Sequence, residues 1–66
     1  MNEKLLTAKE VAEYLRLSKS TIYKMTSQRV IPFIKLNNGK ILFNLSDINA
    51  WLEKRKNKPE DENFKL

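Results

Sequence analysis

An Asn-Gly pair between two short apolar runs constrains the fold of this chain more than any other feature. Asn38 and Gly39 separate residues 33–37 (Phe-Ile-Lys-Leu-Asn) from residues 40–44 (Lys-Ile-Leu-Phe-Asn). Such a pair between alternating runs is the strongest short-range signal for a β-hairpin. With a two-residue turn, the predicted cross-strand partners are Asn37 with Lys40, Leu36 with Ile41, Lys35 with Leu42, and Ile34 with Phe43.

This register predicts one buried and one solvent-exposed face for the hairpin, because side chains alternate along a strand. The buried face would hold Ile34, Leu36, Ile41 and Phe43. The opposite, basic face would hold Lys35, Asn37, Lys40 and Leu42. A two-stranded hairpin is marginal alone, so we expect a helix beneath its apolar face.

The residues before the hairpin predict two short helices. Thr7 and Glu10 have the spacing of a capping box, and a helical apolar stripe follows at Ala8, Val11, Ala12 and Leu15. The first helix should run from about Thr7 to Leu15. After a turn at residues 16–18, Ser18 should cap a second helix that reaches about Gln28 and buries Ile22 and Met25, with Tyr23 at the margin. Two helices joined by about three residues form a helix-turn-helix pattern.

A third helix should follow the hairpin, with Ser46 as its N-cap and Asp47 at the positive end of its dipole. Its apolar stripe is Ile48, Trp51 and Leu52, and we expect Trp51 at the centre of the core. The helix should end by Lys58, before Pro59. The predicted fold is α+β and mostly helical: a small winged helix-turn-helix over residues 1–58, ordered helix, helix, β-hairpin, helix, with a disordered acidic tail at residues 59–66.

The charge distribution favours a polyanionic partner. Residues 14–58 carry ten basic residues against Asp47 and Glu53, a net of +8, and no acidic residue stands between Arg16 and Ser46. Residues 1–13 carry a net of −1 and residues 59–66 a net of −2. Nucleic acid fits such a surface. The charge distribution alone would also fit a basic face that contacts only water, or a protein that binds a membrane surface.

Several classes of function lack the residues they need. The 66-residue chain has no Cys or His, so it offers no disulfide, no thiolate zinc site and no ordinary base to activate a nucleophile. Gly39 is its only glycine, which excludes a glycine-rich phosphate loop. We therefore expect no enzyme, cofactor or metal. The sequence shows neither an apolar run of about 20 residues nor a signal-peptide h-region, which predicts a soluble cytoplasmic protein.

Residues 5–56 resemble the excisionase-like winged helix-turn-helix domains, which are related to the DNA-binding domains of MerR-type regulators. The most specific segments are LTAKEVAEYL, STIYK, IPF and DINAWL. The family often has glycine at Arg29, an apolar residue at Thr26 and a basic residue at Leu42. The resemblance therefore implies a left-handed backbone at Arg29 and one backbone contact fewer at Leu42.

The motif predicts which residues contact double-stranded DNA. The second helix would enter the major groove and present Lys19, Ser20, Thr21 and Lys24 to base edges. Lys24 is the best candidate because it lies opposite Ile22 and Met25. For Ser20 and Thr21 the alternative to base contact is that they only help to start the helix. The wing would place Lys35, Asn38 and Lys40 on phosphates or in a minor groove, and the remaining backbone clamps would be Arg16, Arg29 and Lys54. We assign Tyr23 to packing, with a hydroxyl–phosphate contact as the alternative.

The resemblance implies an excisionase, also called a recombination directionality factor. Such a protein binds and bends DNA and assists an integrase in excising a mobile element, without strand chemistry of its own. Its partners would be duplex DNA and an integrase, and we expect a monomer in solution. The alternatives are a small transcriptional regulator, the DNA-recognition part of a phage packaging subunit, and a protein-interaction module for an acidic partner.

Overall fold

The computed structural model describes residues 4–57, which form three helices and a three-stranded antiparallel sheet. The elements follow in the order β1 (Leu5–Thr7), α1 (Ala8–Leu15), α2 (Lys19–Ser27), β2 (Ile34–Lys35), β3 (Ile41–Asn44) and α3 (Leu45–Arg55). The prediction of a small winged helix-turn-helix is confirmed, and the β2–β3 hairpin is its wing. The predicted tail at residues 59–66 lies outside the described residues.

Two of the three predicted helix starts are confirmed by their caps. At α1, the Thr7 backbone N–H donates to Glu10 Oε1 (2.8 Å) and the Glu10 N–H donates to Thr7 Oγ1 (3.2 Å), which completes the capping box. At α2, the Thr21 N–H donates to Ser18 Oγ (3.1 Å). The prediction of Ser46 as the third cap is wrong. Asn44, the last residue of β3, caps α3 with its Oδ1, which accepts from the Ser46 N–H (2.9 Å). Strand and helix are therefore continuous, and Asn is as good an N-cap as Ser.

The sheet contains a strand that the sequence analysis did not predict. β1 pairs with β3, with Leu6 opposite Phe43, so the strand order is β1-β3-β2. Three residues that run straight into a capping box are too short to display a strand period. This third strand gives the hairpin the partner that an isolated ribbon lacks.

The hairpin exists, but the predicted register is wrong by one residue. Ile34 pairs with Leu42 and Lys35 with Ile41. The Leu36 N–H donates to the Lys40 carbonyl (2.8 Å), and the Gly39 N–H donates to the Leu36 carbonyl (2.9 Å). The loop therefore has three residues, 37–39, and its last residue, Gly39, has a φ of 90°. A glycine with positive φ at this place is typical of three-residue hairpin loops.

The extra loop residue reverses the faces of β2, because a one-residue slip moves every side chain to the opposite side. The predicted burial of Ile34 and Leu36 is wrong: they are 37% and 39% exposed. Leu42 shares their outer face, since it pairs with Ile34. Lys35 instead shares the inner face with Ile41, at the edge of the sheet.

The core lies between the inner face of the sheet and the three helices. Its largest fully buried side chains are those of Phe43, Ile22, Ile48 and Val11. Trp51 is only half-buried and packs against this cluster from outside, so the prediction that it forms the centre is wrong. Phe43 occupies that position. The Trp51 indole Nε1–H donates instead to the Val30 carbonyl (2.7 Å), which ties α3 to the segment between α2 and the wing.

Candidate nucleic-acid interface

The second helix presents a polar face on the side away from the core. Ile22 and Thr26 are buried, while Ser20 and Lys24 lie about half a turn round the helix from Ile22 and are exposed. Two of the four predicted base-reading positions, Ser20 and Lys24, therefore lie on the accessible outward face. Lys24 lies in the middle of this face, as the sequence predicted, and the outward positions contain no acidic residue.

The hydroxyls at the start of α2 form a local hydrogen-bonded cluster. Ser18 Oγ lies 2.9 Å from Thr21 Oγ1 and 3.2 Å from Ser20 Oγ, and it accepts from the Thr21 N–H. Thr21 is half-buried and Ser20 is exposed. Thr21 thus helps to start the helix, which was the alternative that the sequence left open. Ser20 has the exposure that a base contact needs.

A groove lies between α1, α2 and the tip of the wing, and we call it the wing-tip groove. It is a cavity of about 270 Å³. Its lining residues are Thr7, Ala8, Lys9, Lys19, Tyr23, Gly39, Lys40 and Ile41. The structure thus brings the predicted Lys19 and Lys40 to one cavity, and no acidic residue lines it. Tyr23, which was expected at the margin of the buried side, is 47% exposed here, and its role in packing or in a phosphate contact stays a prediction.

A second groove lies on the other side of Ile41, between the end of α2 and the edge of the sheet, and we call it the edge groove. It is a cavity of about 340 Å³. Its lining residues are Thr26, Ser27, Arg29, Phe33, Lys35 and Ile41. The predicted Arg29 and Lys35 are therefore neighbours along this groove, again without an acidic residue. Lys35 reaches the groove because the shifted register turns it toward α2.

Asn38 lies at the exposed tip of the wing and shapes the turn there. Its side-chain Oδ1 accepts from the Lys40 backbone N–H (2.9 Å), so the amide oxygen stabilises the loop. The amide NH₂ group of Asn38 is a donor that suits phosphate oxygens or minor-groove acceptors. The loop hydrogen bond also fixes the backbone of Lys40, the lysine of the wing-tip groove.

The two predicted arginine clamps share an unusual backbone conformation. Arg16 follows α1 with a φ of 61°, and Arg29 follows α2 with a φ of 57°, so the left-handed backbone expected at Arg29 is confirmed. Each lies in a Schellman motif. The Leu17 N–H donates to the Ala12 carbonyl (2.8 Å), and the Val30 N–H donates to the Met25 carbonyl (3.0 Å). Glycine is the usual residue at this position because a Cβ is strained there. Both arginine side chains are exposed.

Lys54, the last predicted clamp, lies apart from both grooves. It lines a separate cavity with Pro32, Asp47, Ala50 and Trp51, away from α2. Its contact with DNA stays a prediction. The Arg55 guanidinium stacks 4.7 Å from the centre of the Trp51 ring, so this end of α3 holds a second basic group against an aromatic face.

Lys9 and Ser27 line the grooves, but the sequence analysis did not assign them to the DNA interface. Lys9 belongs to the net-acidic segment 1–13, so the charge pattern concealed it, and only the fold brings it beside Lys19 and Lys40. Ser27 lies in the edge groove, one helical turn after Tyr23. The position of Ser27 was foreseeable from the helical period, because Lys19, Tyr23 and Ser27 fall on one stripe.

The buried Thr26 has an internal partner. Its Oγ1 hydroxyl donates to the Tyr23 carbonyl (2.8 Å), one turn back in α2, and the residue is 5% exposed. A hydroxyl thus occupies a position at which the resembled family often has an apolar side chain, and it does so with its donor satisfied.

Comparison with known protein families identifies this arrangement. The family model of the helix-turn-helix domain matches residues 5–56, which is most of the chain. The chain belongs to the helix-turn-helix domain family. Such domains bind DNA through their second helix and are typically non-enzymatic, so the match supports DNA as the partner. Neither a curated protein nor a solved structure showed significant similarity to the chain.

Within residues 4–57, no helix has the length and apolar character that a bilayer crossing needs. The same part of the chain holds no group of three or more Asp, Glu, His or Cys side chains arranged to bind a metal ion.

Proposed function

We propose that the protein binds duplex DNA sequence-specifically, with α2 in the major groove and the wing against the adjacent backbone. The observation that carries the proposal is the pair of grooves that flank Ile41. Both border α2, both are lined by Lys or Arg, and neither has an acidic lining residue. A basic surface on both sides of a helix-turn-helix recognition helix fits the two phosphate strands that border a DNA groove.

Base recognition falls to the outward face of α2. Lys24 is placed to donate to the guanine O6 and N7 acceptors, and the Ser20 hydroxyl to donate or accept at a neighbouring base. Thr21 contributes mainly by ordering the first turn of the helix, because its hydroxyl lies within hydrogen-bonding distance of Ser18. Lys19 faces the wing-tip groove, so we assign it to the phosphate backbone.

Backbone binding falls to the rims of the two grooves and the helix ends. Arg29 and Lys35 border the edge groove, and Lys19 and Lys40 border the wing-tip groove. Arg16 extends the basic surface along the turn between α1 and α2, and Asn38 adds a donor at the wing tip. Lys54 is the outlying member of the set, and its contribution would require DNA that bends toward α3.

We infer further that the domain acts as an excisionase, binding and bending DNA beside an integrase. The support is the resemblance of residues 5–56 to excisionase-like domains, together with the basic grooves that border α2. A small transcriptional regulator or a phage packaging subunit would use the same surface. An excision assay with a candidate integrase separates these roles: stimulated excision supports the inference, and specific DNA binding with unchanged excision refutes it.

The DNA-reading roles are tested by comparing Lys24→Ala with Lys40→Ala. If Lys24 reads a base, its loss weakens the binding free energy at the preferred DNA sequence by about 1–3 kcal/mol and relaxes the sequence preference at that base. If Lys40 contacts phosphate, its loss weakens binding to all duplexes equally and reduces the salt slope by about one. Both are exposed lysines, so each variant controls for the loss of one charge. Equal, sequence-independent losses for both variants would remove Lys24 from base recognition.

A further inference from the structure

We propose that the wing-tip groove holds a single DNA phosphate, and that Lys9 of α1 is one of the three cations that bind it, with Lys19 and Lys40. This inference rests on the proposed function and deepens it, since it adds a residue of the first helix to the DNA interface. Lys9 belongs to the segment with a net negative charge, which gives no sign of such a role.

The three lysines come from three different elements. Lys9 is the second residue of α1, Lys19 is the first residue of α2, and Lys40 follows the wing turn directly. All three line the same cavity of about 270 Å³. Within residues 4–57 the ion pair found is between Lys56 and Glu53, so none of the three lysines is paired with a carboxylate there.

Electrostatics favours an anion in this groove. Three lysines line one cavity and no carboxylate lines it, so the local charge is positive. Glu10, the acidic residue next to Lys9, is engaged at the N-cap, where its Oε1 accepts from the Thr7 N–H. An anion in the cavity would be attracted by all three lysines.

The position of the groove favours a backbone phosphate. It lies between the recognition helix and the wing, the two elements that the proposed function places on DNA. Tyr23, half-exposed on the same wall, adds a hydroxyl donor.

The first test compares Lys9→Ala with Lys4→Ala across a salt series on one duplex. Both residues are exposed and both changes remove one positive charge, but Lys4 lines neither groove. Lys9→Ala should weaken binding and reduce the salt slope by less than one, because Lys19 and Lys40 still face the same phosphate. Lys4→Ala should change binding much less, because Lys4 lines neither groove. Equal effects of the two variants would overturn the inference.

The second test identifies the phosphate with duplexes that carry one neutral methylphosphonate linkage at each successive position. For the wild type, one linkage should weaken binding most, and at that linkage Lys9→Ala and Lys40→Ala should cause no further loss. Additive losses at every linkage would refute a shared phosphate. Thermal melting checks that Lys9→Ala is folded, and Lys9→Gln repeats the test if it is not. Wild-type protein without salt-dependent duplex binding would refute the proposed function itself, whereas normal wild-type binding with an inert Lys9 would refute only this inference.

Discussion

Arg16 and Arg29 both have a left-handed backbone. At such a position we expect substitution by Ala or by Gly to affect DNA affinity equally but stability differently. We consider Arg29, whose φ is 57° at the end of α2. Arg29→Ala removes the guanidinium but keeps the Cβ, and Arg29→Gly removes both. Comparing the two variants therefore isolates the strain of the Cβ from the loss of charge.

The magnitude follows from the backbone. A Cβ in the left-handed region costs roughly 1–2 kcal/mol, and glycine loses about 0.5–1 kcal/mol more chain entropy on folding. Arg29→Gly should therefore be about 1 kcal/mol more stable than Arg29→Ala, which is a difference of about 4–8 °C in the melting temperature of a domain this small. Both variants should bind duplex DNA about eightfold more weakly than the wild type at 0.1 M salt, through the loss of one phosphate contact.

The neighbouring residue supplies a matched control. Gln28 lies one position earlier, with a φ of −87° in the right-handed region. There the order should reverse, with Gln28→Ala more stable than Gln28→Gly by about 0.5–1 kcal/mol. Circular dichroism melts measure stability and fluorescence titrations of labelled duplex measure affinity. Arg29→Gly melting below Arg29→Ala would refute the strain assignment, and wild-type affinity in both would refute the phosphate contact. Arg16 should behave as Arg29 does.

Further predictions concern the packing that positions the grooves. Phe43→Ala should cost about 3–5 kcal/mol and largely unfold the domain, whereas Leu36→Ala should cost under about 1 kcal/mol, because Phe43 is 0% and Leu36 39% exposed. If urea unfolding shows that the two variants lose a similar free energy of unfolding, Leu36 is buried and the register of a two-residue turn is correct. Trp51→Phe should cost about 0.5–1.5 kcal/mol through the hydrogen bond to Val30, and Trp51→Ala should remain partly folded since the ring is only half-buried. A Trp51→Ala protein without a melting transition would contradict that burial. Thr26→Val should change stability by less than about 1.5 kcal/mol, since a methyl replaces a hydroxyl whose partner is local, and a larger loss in melting experiments would contradict this.

Local signals were sufficient to predict the helices. The capping box at Thr7 and Glu10 and the stripe of Val11 and Ala12 involve residues close in sequence, so their periodicity predicts α1 directly. Asn38 and Gly39 likewise predicted that a hairpin exists. The loop length was not predictable, because Asn-Gly fits both a two-residue turn and the end of a three-residue loop. The difference of one residue then reversed the side of Ile34 and Leu36.

Features that depend on distant residues escaped the sequence analysis. β1 forms only because β3 lies beside it, and its three residues carry no signal of their own. Trp51 was placed at the core centre because it belongs to the apolar stripe of the third helix, but its indole N–H requires an acceptor, which the Val30 carbonyl provides at the margin. Lys9 enters the wing-tip groove through the packing of α1 against α2. The α2 positions were the easiest part of the site, since the period of one helix places Ser20 and Lys24 opposite Ile22.

The central claim is that the basic surface around α2 neutralises DNA phosphates, and the salt dependence of wild-type binding tests it most directly. The protein is titrated into labelled duplex at a series of salt concentrations, and log K is plotted against log salt. About four to six neutralised phosphates predict a slope of about −4 to −5. A slope near zero would contradict the DNA-binding account of this surface.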